Sequence, residues 1–301
     1  MTSTPYPHLD YSAFGGVPWT GGLDTARAVV LPLPLDRTTS YVPGTRNGPR
    51  EILRASAFLE LWDEEVSLDV QALGIATLPE MEFPAWDLEA TMFEIRRIAS
   101  DLLGDGKFIV AIGGEHSITP PLVEAASARA SELTVLQIDA HADLRASYMG
   151  SPHSHACAMR RALEHASRAT QVGIRSLSAE EADALPGLQT TIFYDVVLRE
   201  DPAWIDQVVE TLGRDVYITI DLDGLDPGVM PAVGTPEPGG LSWHELLGLL
   251  RRVFAARQVV GCDVVELCPI PGLVAPNFLA AKLVSKLLAY KFAPPSPRRR
   301  W

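Results

Sequence analysis

Short, nearly unbroken apolar runs punctuate the chain at residues 28–33, 108–112, 134–138, 169–174, 191–194, 216–220 and 258–265. Most are continuous rather than alternating. They therefore predict strands buried on both faces, the habit of a parallel sheet. Between them, apolar positions recur at helical spacing over residues 49–58, 87–101, 120–130, 156–166, 179–184, 203–212, 243–256 and 276–290. Two helix starts are written locally. Asn47-Gly48-Pro49 puts a proline in the first turn, where its missing N–H costs nothing, and Ser242 with Glu245 three positions on is a capping-box pattern. Strands alternating with helices predict one layered α/β/α domain over residues 1–301. Residues 1–25, rich in glycine, proline and aromatics, read as an irregular arm. Residues 292–301 read as a frayed, basic, proline-rich tail.

Composition narrows the function classes. The 301 residues are 47% hydrophobic and 21% charged, an ordinary globular balance. A chain this long buries roughly 75% of its unfolded surface, so it needs no metal or disulfide to fold. Any metal must be there for chemistry. The net charge of −13 disfavours nucleic acid and suits a small cationic substrate. Cys157, Cys262 and Cys268 show neither metal spacing nor a disulfide framework, and read as thiols in a reducing compartment. The N-terminus lacks the basic start and apolar run of a signal peptide, and no uncharged apolar stretch reaches membrane-spanning length. A cytoplasmic protein with no membrane partner is expected.

The chemistry lies at the strand ends. Run 134–138 leads into Asp139-Ala140-His141-Ala142-Asp143, run 216–220 into Asp221-Leu222-Asp223, and run 108–112 into Gly113-Gly114-Glu115-His116. Run 258–265 carries Asp263 and ends in Glu266. Sites in parallel sheets form outside the carboxyl ends of the strands, so these acids can converge. In extended chain, alternate residues project together, which groups Asp139 with His141 and Asp143, and Asp221 with Asp223. A lone aspartate after a strand is usually a turn cap, as Asp226-Pro227 suggests. Repeated acid clusters interleaved with histidine are not explained that way. His116, Asp139, His141, Asp143, Asp221 and Asp223 make a set of imidazoles and carboxylates whose charge two divalent cations would neutralise. Oxygen-rich ligation without thiolate favours Mn²⁺ over zinc.

These segments resemble the ureohydrolase family of arginase and agmatinase. Gly-Gly-Glu-His-Ser (113–117), Asp-Ala-His-Ala-Asp (139–143) and Asp-Leu-Asp-Gly-Leu-Asp-Pro (221–227) are similar to its three metal-binding signatures, in the same order. Residues 31–52, 154–161, 234–241 and 263–269 extend the likeness. The resemblance implies an α/β/α domain with a parallel eight-stranded sheet, two Mn²⁺ per subunit (with Ni²⁺ or Co²⁺ as alternatives) and a trimeric or hexameric homo-oligomer. It implies hydrolysis of a guanidino group to urea and an amine by a metal-bridging hydroxide. His116, Asp139, Asp143 and Asp221 match ligands of one metal. Asp139, His141, Asp221 and Asp223 match ligands of the other. Asp143 matches the proton-transferring carboxylate, Glu266 the partner of the substrate guanidinium, and His155, rather than His153, a proton-relaying histidine at the mouth. Glu115 stands where an aspartate is frequent.

The tail of the substrate is less constrained. Arginases carry an asparagine two residues past the second signature, where this chain has Arg145. That departure favours agmatine or aminopropyl-agmatine, yielding urea and a polyamine. Arg145 reads first as a structural ion pair and second as a clamp for a substrate carboxylate, as in guanidinobutyrate. A one-metal deacetylase of acetylpolyamine type and a non-catalytic scaffold are rivals, each predicting a missing ligand.

Overall fold

Every predicted apolar run is a strand in the computed structural model, which describes residues 9–84 and 87–293. In chain order the elements are β1 (Ala28–Leu33), α1 (Gly48–Ser56), a small antiparallel hairpin of β2 (Trp62–Asp63) and β3 (Leu68–Asp69), β4 (Ile75–Thr77) and α2 (Leu88–Gly104). There follow β5 (Phe108–Gly113), α3 (Thr119–Ser127), β6 (Leu133–Ile138), α4 (Ala158–Ala162), β7 (Arg168–Ile174), α5 (Ala179–Ala184) and β8 (Thr190–Tyr194). The chain continues through α6 (Asp195–Glu200), α7 (Trp204–Thr211), β9 (Asp215–Asp221), α8 (Trp243–Ala256), β10 (Gln258–Val265) and α9 (Ala275–Phe292).

One eight-stranded, wholly parallel sheet has the order β4-β1-β5-β10-β9-β6-β7-β8. All six residues of β1, β5 and β6 are buried, as their continuous apolar character requires. Two apolar layers fill the faces. One is built with α1, α7, α8 and α9, the other with α2, α3 and α4. The capping box at Ser242 and Glu245 opens α8 as expected, and Pro49 stands in the first turn of α1. A second capping box, Ser178 with Glu181, opens α5.

The order of strands positions the site. β5, β10, β9 and β6 are consecutive neighbours at the centre of the sheet. Between β5 and β6 the chain leaves a gap that β9 and β10 later fill, and such a switch point opens a crevice at the carboxyl ends. Those four strands are the acid-bearing ones. Gly224 brings two of their loops into contact: a Cβ there would lie 2.7 Å from the Asp139 backbone nitrogen.

Several boundaries differ from expectation. β4 lies at the sheet edge, and its three residues are too short to signal themselves. The α4 helix is a five-residue core, because residues 155–157 form a 3₁₀ turn before it. The arm, where described, is pinned: Phe14 is buried, its N–H bonds Thr77 Oγ1 at 2.9 Å, and the Gly15 N–H bonds Ser56 Oγ at 2.9 Å. Phe292, expected in the frayed tail, instead closes α9 with its ring edge-on to Phe108 at 6.0 Å. Residues 294–301 lie outside the described residues. Among the described residues, no helix is long and apolar enough to cross a membrane.

Candidate metal centre

The strand-end acids meet around one buried nitrogen. His116 Nδ1 lies 3.1 Å from Asp139 Oδ2, 3.0 Å from Asp143 Oδ2 and 3.5 Å from Asp221 Oδ2. His141 Nδ1 lies 2.9 Å from Asp223 Oδ2 and 3.7 Å from Asp139 Oδ1. The ligand atoms of His116, Asp139 and Asp221 fall within 4.8 Å of one another, as do those of Asp139, His141 and Asp223. Asp139 is common to both groups, so the two could hold a pair of ions through a shared carboxylate.

The backbone and neighbouring side chains fix each acid. Asp139 accepts the His141 N–H and the Gln137 amide, both at 2.6 Å. Asp223 accepts the Ala140 N–H at 3.0 Å and the Thr235 hydroxyl at 3.3 Å. Asp221 accepts the Asp223 N–H at 2.9 Å. Asp143 has φ 53 and Glu266 has φ 67, left-handed conformations that cost a non-glycine residue energy. Each is held there. The Asp143 carbonyl accepts the Arg160 N–H, and the Glu266 N–H bonds the Gly114 carbonyl at 2.7 Å. Gly114 also lets residues 33–35 pack against this loop, since a Cβ there would collide with the Leu35 carbonyl oxygen.

The residues fit a divalent cation on chemical grounds. His116 Nε2 contacts Thr219 Oγ1 at 2.8 Å, and that hydroxyl donates to Asp263 at 2.6 Å. The hydroxyl proton is committed, so His116 donates through Nε2–H. Its Nδ1 then presents a lone pair to three carboxylate oxygens, and this buried nitrogen has no hydrogen-bond partner. Acceptor against acceptors is stable only with a positive charge between them.

A proton on the ring is the other way to supply that charge. Burial opposes charge on His116, yet Asp139, Asp143 and Asp221 together hold its pKa well above the ordinary value. Burial opposes His141 likewise, and Asp139 with Asp223 pushes it up to about 12. Burial and the Asp139 charge raise Asp143 to about 6. Burial and the charges of Asp223 and Asp139 raise Asp221 well above its usual range. The cluster carries more negative charge than its surroundings answer.

A cavity of about 220 Å³ opens above these residues, lined in part by Asp143, His155, Asp221, Asp223 and Glu266. Glu266 Oε1 accepts the His116 N–H at 2.7 Å and lies 3.6 Å from His155 Nδ1. Burial lowers the His155 pKa, but Glu266 outweighs it and carries the ring up to about 9. His153 is not among the cavity-lining residues. Arg145 is on the wall, its Nε 3.8 Å from Glu181 and its guanidinium 4.9 Å over the Tyr148 ring. Glu115 contributes from below. It accepts the Arg37 and Thr38 N–H groups and the Thr38 and Ser117 hydroxyls at 2.6–2.9 Å, and Thr38 Oγ1 accepts the His155 N–H.

Thr38, Gln137 and Thr219 were missed by sequence reasoning. For the last two a signal existed. Each stands two residues before an aspartate at the end of its strand or just past it, and so on the same face where the chain stays extended. Cys157 is buried, and burial raises its thiol to about 11.

The model of the arginase family matches residues 26–289. N(1)-aminopropylagmatine ureohydrolase of Synechocystis sp. is 43% identical over 297 residues, 96% of this chain and 95% of that protein. The enzyme of the same name from Thermus thermophilus is 39% identical, over 89% of this chain and 91% of its own length. The crystal structure of agmatine ureohydrolase of Thermoplasma volcanium matches with a TM-score of 0.84 at 32% identity, covering 96% of this chain and 95% of that one.

Proposed function

The chain belongs to the arginase family, and from that membership and the site geometry we propose that it is a ureohydrolase acting on agmatine or N1-aminopropylagmatine. The reaction adds water across a guanidinium carbon and breaks one C–N bond, giving urea and a protonated amine. The observation that carries this reading is the Glu266–His116 contact. The carboxylate that would pair with the guanidinium is hydrogen-bonded to the backbone of the residue whose ring enters the acid cluster. Substrate anchor and metal centre are thus built on one loop contact.

His116, Asp139, Asp143 and Asp221 would hold one divalent ion, and Asp139, His141, Asp221 and Asp223 the other. When bound, such ions, Mn²⁺ by the oxygen-rich donor set, bring a water toward ionisation near neutral pH and supply Lewis-acid charge. The protein does the rest. Glu266 orients the planar guanidinium through charge-assisted hydrogen bonds. Asp143, on the wall of the cavity, is placed to take a proton from the attacking water and give it to the departing amine nitrogen. His155, beside Glu266, carries protons at the mouth.

The substrate tail would run along the wall of Ser40, Arg145, Tyr148 and Glu181. Glu181 answers the Arg145 charge from within the protein, which supports a cationic tail over a carboxylate one. The relatives named for N(1)-aminopropylagmatine support the longer diamine. By resemblance, the working form is a homo-oligomer.

The test is urea release after chelator treatment and Mn²⁺ reloading, with agmatine, N1-aminopropylagmatine, guanidinobutyrate, arginine and guanidine. Mn²⁺-dependent turnover of either agmatine compound is expected. Turnover of guanidinobutyrate alone would reassign Arg145 to a substrate clamp. No urea from any of them, with two ions bound, would overturn the reading.

A further inference from the structure

A second buried carboxylate stands behind His116. Asp263 on β10 is in register with Thr219 on β9, and both are fully buried. Asp263 Oδ1 accepts the Thr219 hydroxyl at 2.6 Å. Asp263 Oδ2 accepts the Tyr217 hydroxyl at 2.9 Å and the Thr119 hydroxyl at 3.1 Å. Tyr217 and Thr219 reach it because alternate residues of β9 share a face. Burial raises the Asp263 pKa, while His116 and the three hydroxyls work the other way. The chain of contacts therefore has one direction: Thr219 donates to Asp263 and accepts from His116 Nε2.

We propose that Asp263 is a positioning residue for the His116 imidazole. Acting through Thr219, it locks the Nε2–H tautomer and the ring plane, so that the Nδ1 lone pair stays aimed at the acid cluster. Ligating histidines commonly donate their outer N–H to a carboxylate directly. In this molecule a hydroxyl is interposed, and β9 supplies both that hydroxyl and Asp221. The affinity of the ion that His116 helps hold is then set partly from β10. This rests on the two-metal reading of the site.

The experiment is Mn²⁺ titration of the chelator-treated full chain. Calorimetry gives stepwise constants, and electron paramagnetic resonance distinguishes paired from single ions. The variants are Asp263→Asn, Thr219→Val, Thr219→Ser and Tyr217→Phe. Outer partners of this kind are typically worth about 10–100-fold in metal affinity. Asp263→Asn and Thr219→Val should each weaken one Mn²⁺ by that factor and leave the second near wild type. Thr219→Ser keeps the hydroxyl and should restore both constants. Tyr217→Phe removes a hydroxyl from Asp263 but not from His116, and should lower melting temperature without touching either constant.

Wild-type constants in Asp263→Asn would overturn the proposal. So would equal weakening of both ions in step with the melting temperature, as a merely structural role predicts. If Asp263→Asn fails to fold, unchanged binding in Thr219→Val overturns it instead. A wild-type chain that takes up fewer than two Mn²⁺ overturns the two-metal reading, a result read before any variant is made.

Discussion

Two acid clusters in this molecule have opposite solutions. On the β2–β3 hairpin, Asp63, Glu64 and Glu65 converge on Lys286 of α9, whose Nζ lies 3.0, 2.9 and 3.2 Å from their carboxylates. Tyr290 donates to Glu65 at 2.9 Å, and Arg251 pairs with it at 3.0 Å. Lys286 is only 2% exposed. At the strand ends, Asp139, Asp143, Asp221 and Asp223 converge on histidine rings, and one of those rings presents a bare nitrogen. The first cluster carries its own cation and is an internal tie between hairpin and helix. The second is hydrogen-bonded at its rims but has no lysine or arginine paired to its carboxylates among the described residues, only imidazoles whose charge rests on an exchangeable proton. Acid density alone therefore does not mark a metal site; carboxylates answered by imidazole nitrogens, which can exchange a proton for a metal ion, rather than by a lysine do.

That contrast can be broken in several ways, from the largest expected effect to the smallest. Asp139→Asn removes the carboxylate shared by both ligand groups. Activity should fall by more than about 100-fold, the upper range for losing even an outer partner of a metal, and metal content should fall with it. Urea release and elemental analysis read both, and full activity with unchanged metal would sink the site. Lys286→Met breaks the self-neutralised cluster and should cost about 3–5 kcal/mol of stability, read by chemical denaturation. Metal content should be unchanged, and a loss of metal would mean the clusters communicate. Glu266→Gln should retain both ions yet lose kcat/KM by roughly the 1.5–3 kcal/mol of a charged hydrogen bond.

The pH dependence of the Lys286 tie has a definite sign. Burial lowers the lysine pKa, but Glu64, Asp63 and Glu65 outweigh it and raise it above 10.5. A raised lysine contributes fully below 10.5 and loses its contribution as pH climbs through the folded value. The stability gap between wild type and Lys286→Met should stay level up to about that pH and narrow above it. A gap that narrows on acidification through neutrality would contradict this. The smallest effect is expected for Arg145→Ala, which should leave agmatine turnover near wild type. A large loss confined to carboxylate-bearing guanidines would make Arg145 a substrate contact.

Strands and acids were legible for the same reason. A doubly buried strand must be a continuous apolar run, and an acid just past it has few structural uses. The edge strand β4 was not legible, because three residues carry no pattern. Neither was α6, six residues joined directly to the end of β8. The Lys286 tie was invisible as well. Nothing near Asp63-Glu64-Glu65 in sequence points to a partner, and Lys286 is 222 residues away from Glu64. The same distance problem hid Thr38, whose bonds to Glu115 and His155 join three loops. Local spacing reports which residues face the same way. It does not report which loop closes over them.

The strand order carries one more consequence, for how the chain comes to be folded. β10 occupies the slot between β5 and β9, although it is the last in chain order of the described strands. Pairing across such long sequence separations is slow to form, because loop closure precedes any gain from contact. Until residues 258–265 arrive, β5 and β9 have no common neighbour, and Glu266 cannot meet the His116 backbone. The centre of the sheet is thus completed last. Metal loading would accordingly follow the docking of β10, and a complete centre would certify that the four central strands have paired.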